Sequence, residues 1–342
     1  MRALITGATG FIGGHVAEAF VERGWQVVTV ARPGSDTALL ERLGVAIHRG
    51  DLAAAGLLRR LVPEVNVVVH SAAKVGDWGP VEDYRAVNVE ALRGLLDACK
   101  GQPLDRFVHL SSLGVYAARH HYGTTEDEPL PAHHADGYTQ SKVEAEQLVL
   151  RYYRDFGIPV VVLRPGFVYG PRDRTVMPKL IENLRAGKVR YLGGKGRRAL
   201  NTIYVKNLVD AVFLAAENPA AVGQVYNLTD GEPVSKRRFI EAIADALELP
   251  RPTKSPPLWI ARFLTWWMER QARKNGATKA PKLTQARLKF LGLNLDFSIE
   301  KARRELRYRP AVGFERGMQE TMAWYQANKS EVRNPKPETS TP

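Results

Sequence analysis

The chain has 342 residues, a net charge of +13 and a single cysteine, Cys99. One thiol excludes an intrachain disulfide and any multi-thiolate metal site, and no run of 18 apolar residues is present to span a bilayer. The length exceeds one typical domain, which predicts a large core domain with a smaller second lobe. Taken in chain order, six short β-branched runs stand out: residues 2–6 (RALIT), 26–31 (QVVTVA), 45–50 (VAIHRG), 66–72 (NVVVHSA), 106–112 (RFVHLSS) and 158–165 (IPVVVLRP). Helical patterns such as GGHVAEAFVERG and YRAVNVEALRGLLDAC fill the gaps between them. Apolar strands regularly separated by helices predict an α/β fold with a doubly wound parallel sheet, covered on both faces.

The division expected from this pattern is a nucleotide-binding domain over residues 1–170, with returns to it near 200–230. Residues 171–328 would form mainly a substrate lobe. The last stretch, 329–342, is polar and Pro-rich and reads as a disordered tail. The N-terminus moves from a short apolar run straight into glycines, without the long apolar stretch of a signal peptide, so a cytoplasmic location is expected.

The first motif is LITGATGFIGGHV. Gly7, Gly10 and Gly13 fall at a strand-to-helix turn, at its exit and in the first helical turn. Glycine at the first place permits the tight turn, at the second lets a pyrophosphate approach the backbone, and at the third lets helix pack on strand. Phe11 and Ile12 open the helix beside that phosphate site. At the end of the second strand an acidic residue would bind the ribose hydroxyls of NAD, whereas an arginine accommodates the extra phosphate of NADP. The residues there are Ala31 and Arg32, so NADP(H) is the preferred cofactor, with NAD(H) as the alternative.

The second motif is YTQSK, which sets Tyr138 one helical turn before Lys142. A free phenol has a pKa of about 10, so acting as a base near neutrality needs a shift of about three units, or about 4 kcal/mol. An ammonium at i+4 shares the helix face and favours the phenolate. Upstream, HLSSLGVY supplies a hydroxyl at the end of a strand, where an α/β sheet holds its ligands. Tyr, Lys and Ser together form an acid/base with a carbonyl polariser.

Over residues 1–325 the chain resembles the extended short-chain dehydrogenase/reductases. The resemblance rests on TGATGFIG, GDL (50–52), HSAA (70–73), VNV (87–89), SSLGVY, YTQSK and LRPGFVYGP in that order. It implies that Tyr138 is the acid/base, that Lys142 lowers its pKa and holds the nicotinamide ribose, and that Ser112, in preference to Ser111, polarises the carbonyl. It further implies that Asp51 and Leu52 flank the adenine, that Ala72, Ala73 and Asn88 line the cofactor path, and that Pro165 also binds the cofactor. Sugar-nucleotide epimerases and dehydratases of the family carry an Asn where this chain has Phe167, and the dehydratases an Asp-Glu where it has Leu113-Gly114. Both departures resemble instead the branch of 3β-hydroxysteroid dehydrogenases and 2-alkyl-3-ketoacid reductases. The expected activity is therefore the interconversion of a ketone and a secondary alcohol on a hydrophobic, lipid-like substrate. An NAD-dependent sugar-nucleotide epimerase is the alternative, and a homodimer is an open assembly state.

Other features take plainer readings. His120, His121, His133 and His134 lie in polar loop without further ligands at metal spacing, so no metal is expected. GGKGRR (193–198) lacks the ending of a phosphate loop and reads as a hairpin-like turn. Residues 251–310 carry 15 Lys or Arg against 4 Asp or Glu, so +11 of the net charge lies there. The helical pattern LWIARFLTWWMERQARK (258–274) in that stretch is apolar over most of its circumference and is expected to cover the substrate pocket. Its other face either packs within the lobe or rests on the inner membrane surface as a peripheral contact. Nothing in the chain suggests a nucleic-acid partner.

Overall fold

The computed structural model describes residues 1–277 and 279–328. Seven parallel strands form the central sheet: β1 (Arg2–Thr6), β2 (Gln26–Ala31), β3 (Ala46–Arg49), β4 (Val67–His70), β5 (Arg106–Leu110), β6 (Val160–Pro165) and β7 (Val225–Leu228). Their spatial order is 3-2-1-4-5-6-7. The first six are the runs read from the sequence; the seventh arrives from the second half of the chain and pairs with β6, Val225 opposite Val162.

The strands show no polar alternation because both faces are buried. Ala3 and Ile5 of β1 join Val69, Val108 and Val161 on one face, under Val16 and Phe20 of the helix Phe11–Glu22 and Leu208 and Val212 of the helix Val205–Glu217. Leu4, Val68, Phe107 and Val162 face the other way, against Leu95 and Leu96 of the helix Ala91–Cys99 and Leu148 and Val149 of the helix Gly137–Phe156. Successive side chains on a strand point to opposite faces, so each strand feeds two cores.

Strand order reverses between β1 and β4, which opens a crevice beyond their carboxyl ends, where open α/β sheets bind ligands. Beside that crevice lies a third core, in which Met177 and Ile181 of the helix Val176–Arg185 meet Phe239 and Ile243 of Lys236–Ala246 and Phe314 and Met318 of Phe314–Ala327. The helices Leu258–Lys274 and Gln285–Gly292 pack on each other.

Three details differ from the sequence reading. The helical pattern at 84–99 is interrupted by a π-turn over Ala86–Glu90, with Asn88 buried at its centre. The glycine-rich stretch at 193–198 is a turn, with positive φ at Gly193, Gly194, Lys195 and Gly196, but not a hairpin. The strand Ala199–Leu200 that follows pairs with Val234–Ser235 instead of folding back across the turn. The helix Leu258–Lys274 presents its aromatic face outward: its buried residues are Ala261, Thr265 and Glu269, while Trp259, Phe263, Trp266 and Trp267 are 70, 60, 53 and 49 % exposed. The facing helix leaves room only for small side chains, and Glu269 takes the amide of Gln285 (2.7 Å) at that helix's positive end. The tryptophans at 266 and 267 therefore do not line a pocket. The tail at 329–342 lies outside the described residues. Among the described residues no helix is long and apolar enough to cross a membrane.

Candidate active site

The nucleotide turn is built by close approach. Gly7 has φ +71°, and a Cβ there would stand 2.8 Å from the backbone of Ala72; a Cβ at Gly13 would stand 2.2 Å from the Gly7 carbonyl and 2.7 Å from Ser71 Oγ. These two glycines clamp the turn to the exit of β4. Gly10 is exposed and caps the helix Phe11–Glu22 with no side chain, the first helical bond being Gly14 N to Gly10 O at 2.9 Å. The amides of Phe11, Ile12 and Gly13 consequently have no acceptor within the helix, at its positive end. This open cradle fits a dinucleotide pyrophosphate.

The neighbouring segments extend the cleft. Ser71 Oγ donates to Thr6 O (2.7 Å) and Ala72 N to Thr6 Oγ1 (3.3 Å). Asn88 accepts from Lys74 N (2.7 Å) and donates to Lys74 O (3.0 Å) and Ser141 Oγ (2.9 Å). With its amide fully engaged, Asn88 fastens the loop carrying Ala72 and Ala73 to the helix of Tyr138. Arg32 is exposed at the end of β2, and Arg49 at the end of β3 crosses to Ser35 O (3.1 Å) and Thr37 Oγ1 (2.7 Å). Asp51 is exposed and takes the amide of Ala53 (2.7 Å), Leu52 packs against the sheet, and Pro165 is buried at the end of β6.

The serine, tyrosine and lysine expected to react lie just after β5 and in the first turns of the helix Gly137–Phe156. Ser111 is committed to the interior, donating to Glu146 Oε2 at 2.8 Å. Ser112 is half-buried and, among the described residues, its hydroxyl accepts only from Gly114 N (3.0 Å), in a turn that lies against the first turn of the helix Gly137–Phe156. Asp136 caps that helix through the amide of Thr139 (2.8 Å), and Gly157 ends it at φ +67°. The ring of Tyr138 stands edge-on to Tyr84, with centroids 6.5 Å apart.

The expected lowering of the phenol is not found. Burial, with the nearby Asp136 carboxylate, pushes Tyr138 up to about 12. Lys142 is buried with its ammonium on the carbonyl of Leu110 (2.6 Å), and burial pushes it down to about 8 against the pull of Glu146. The phenol is thus protonated at neutral pH, as a proton donor requires.

Beneath these groups is a polar network that the sequence reading did not find. Glu146 and Arg164 form a buried ion pair, Arg164 Nε donating to Glu146 Oε2 at 3.0 Å. Arg164 Nη1 also donates to Tyr116 Oη (2.7 Å), which donates to Asn227 Oδ1 (2.8 Å). An arginine inside VVVLRP and an acid four places after Lys142 were the available signals. His70 and His109 stack beside it at 5.6 Å, and burial, reinforced by Lys142, pushes His70 down to about 3. His121 is held by Thr124 Oγ1 (3.0 Å) and Ala117 O (2.9 Å), and His120 Nδ1 accepts from Asn294 N (2.9 Å). Among the described residues no group of three His, Cys, Asp or Glu could hold a metal. Phe167 packs against Phe290 (4.9 Å) and edge-on to Phe239 (5.6 Å), making an aromatic wall.

Residues 3–229 match the model of the NAD dependent epimerase/dehydratase family. The chain belongs to this family. As an extended short-chain dehydrogenase/reductase, it is an NAD(P)-dependent enzyme acting on CH–OH groups. It is 33 % identical over 330 residues to a 2-alkyl-3-oxoalkanoate reductase of Stenotrophomonas maltophilia, covering 94 % of this chain and 99 % of that protein. It is 32 % identical to a 3-beta-hydroxysteroid dehydrogenase of Mycolicibacterium neoaurum, covering 95 % and 91 %. Among solved structures of the family, UDP-glucuronic acid 4-epimerase from Bacillus cereus in complex with NAD superposes with a TM-score of 0.75 at 25 % identity, covering 96 % of this chain and 99 % of that one.

Proposed function

We propose that the enzyme is an NADP(H)-dependent oxidoreductase that interconverts a ketone and a secondary alcohol on a lipid-like substrate of the 3-oxo acid or 3β-hydroxysteroid type. The observation that carries this reading is the partly exposed pair Phe167 and Phe290, backed by the buried Phe239, which offers an apolar substrate dispersion and burial and offers a sugar no hydrogen bond. The names of the oxoalkanoate reductase and steroid dehydrogenase relatives support it. A dinucleotide held at the Gly7–Gly13 turn would supply the hydride for the carbonyl carbon. Ser112 donates a hydrogen bond to the carbonyl oxygen, and Tyr138 gives that oxygen its phenolic proton as the C=O electron pair moves onto it. Lys142, one turn along the same helix, would supply the positive charge for the phenolate that results by turning its ammonium from the Leu110 carbonyl. The test is turnover: NADPH oxidation with a long-chain 3-oxo acid or a 3-oxosteroid is expected, whereas epimerisation of a UDP-sugar with no turnover of either ketone would overturn the reading.

The cofactor preference rests on Arg32 and on the lack of a carboxylate at positions 31 and 32. A charge-assisted contact to the 2′-phosphate contributes about 1.5–3 kcal/mol, or roughly one to two decades in affinity. NADPH is expected to bind at least about tenfold tighter than NADH, and Arg32→Asp to erase the difference; equal wild-type dissociation constants would refute the preference.

The outward aromatic face of Leu258–Lys274 belongs to the same reading. Its Trp and Phe side chains are interleaved with exposed Arg262, Arg270, Arg273 and Lys274, a composition that suits the headgroup region of an anionic bilayer. Co-sedimentation with phosphatidylglycerol vesicles is expected at low salt, and Trp266→Ser/Trp267→Ser should weaken it. Equal recovery of the wild type and this variant with the vesicles would exclude a role for the helix.

A further inference from the structure

Lys289, on the helix Gln285–Gly292, reaches the turn that follows Ser112. Its ammonium donates to the carbonyl oxygens of Gly114 (2.6 Å) and Tyr116 (2.5 Å). Gly114 lies within the site itself: a Cβ there would stand 3.2 Å from Ser112 Oγ and 4.0 Å from the hydroxyl of Thr139, the residue after Tyr138. An ammonium has three N–H donors, and among the described residues two acceptors engage this one. No carboxylate among those residues forms an ion pair with it. Asp136 is near enough to raise its pKa, yet Asp136 Oδ1 is occupied by the Thr139 amide. Burial works the other way and pushes Lys289 down to about 8, so the charge is held at a cost that an anion would relieve. The adjacent residue, Phe290, is part of the aromatic wall, 4.9 Å from Phe167.

A cation whose hydrogen-bond partners are neutral thus holds the turn that follows the hydroxyl expected to take a ketone oxygen, on the helix that also carries Phe290 of the wall expected to take a hydrocarbon tail. We infer that Lys289 determines specificity for a carboxylated substrate: its remaining N–H takes the carboxylate of a 3-oxo acid while Ser112 takes the ketone oxygen and the alkyl chain lies along Phe167 and Phe290. In a 3-oxo acid a single carbon separates the carboxyl from the ketone carbon, so both polar groups fall on the same short stretch of the site. The inference rests on the oxidoreductase reading above and narrows it to acids, leaving neutral steroids as the poorer substrates. The bland role for Lys289, a pin between its helix and the Ser112 turn, makes a different prediction.

The experiment compares kcat and KM for a 3-oxo acid and its methyl ester, with NADPH saturating, in the wild type, Lys289→Met and Lys289→Arg. Loss of a charge-assisted hydrogen bond is worth roughly tenfold or more. The wild type is expected to favour the acid by about that factor in KM, Lys289→Met to lose the preference, with kcat/KM falling further for the acid than for the ester, and Lys289→Arg to retain part of it. A wild type that treats acid and ester alike overturns the inference even should the Met variant fail to fold. Equal losses on both substrates in Lys289→Met also overturn it and leave the pin. Turnover of neither acid nor ester, with conversion of a UDP-sugar, is the separate result that removes the oxidoreductase reading and the inference with it.

Discussion

Tyr138→Phe is expected to lower ketone reduction by about 10² or more while NADPH affinity stays near that of the wild type, because general acid catalysis contributes about that much. The substitution removes one oxygen and keeps the ring, whose edge contact with Tyr84 at 6.5 Å holds the start of the helix. No other described residue takes a hydrogen bond from the Tyr138 hydroxyl, so its loss leaves no buried partner unsatisfied. The cofactor cradle at Gly7, Gly10 and Gly13 lies on other elements and is untouched. Stopped-flow reduction alongside a cofactor titration separates the two effects. A Phe variant that keeps more than about a tenth of the wild-type rate would show that the proton comes from another group.

Glu146→Ala is expected to destabilise the fold by about 3–5 kcal/mol, because it leaves the Arg164 guanidinium buried without its counter-charge. The two side chains are 2 % and 5 % exposed. The carboxylate also receives Ser111 Oγ at 2.8 Å and supports the charge of Lys142. The pair joins β6 to the helix bearing Tyr138, so the loss should appear in activity as well as in the urea midpoint. Glu146→Leu combined with Arg164→Met removes both members of the pair and should recover much of the stability, since the guanidinium is no longer buried without its counter-charge, although Lys142 still loses the Glu146 carboxylate. A single-variant loss below about 1 kcal/mol would mean that water reaches Arg164 and that the pair is worth no more than a surface one.

The sequence by itself determined the layered fold and the family. Continuous β-branched runs between helical patterns admit few arrangements other than a parallel sheet covered on both faces, and six of the seven strands were legible for that reason. The glycine spacing was equally legible, since a turn in which a Cβ would strike backbone at 2.8 Å and 2.2 Å accepts no other residue. The seventh strand, Val225–Leu228, was not recognised as a strand, because four residues far along the chain carry no period of their own and acquire their place only by pairing with β6.

What tertiary structure alone decided is which polar groups were left free and which way each charge leans. Ser111 and Ser112 are adjacent and chemically identical, and only the buried carboxylate of Glu146 commits the first and frees the second. Helical spacing put Lys142 beside Tyr138 and suggested a lowered phenol, yet spacing carries no information about burial, and burial with Asp136 raises it. The same blindness reversed the helix Leu258–Lys274. Its composition reads as a face seeking cover, but which side a helix buries depends on the neighbour it meets, and here a close-packed helix accepts Ala261 and Thr265 and turns the tryptophans outward. Lys289 was one basic residue among fifteen in its stretch of sequence; its place at the Ser112 turn comes from a helix brought back across 175 residues of chain.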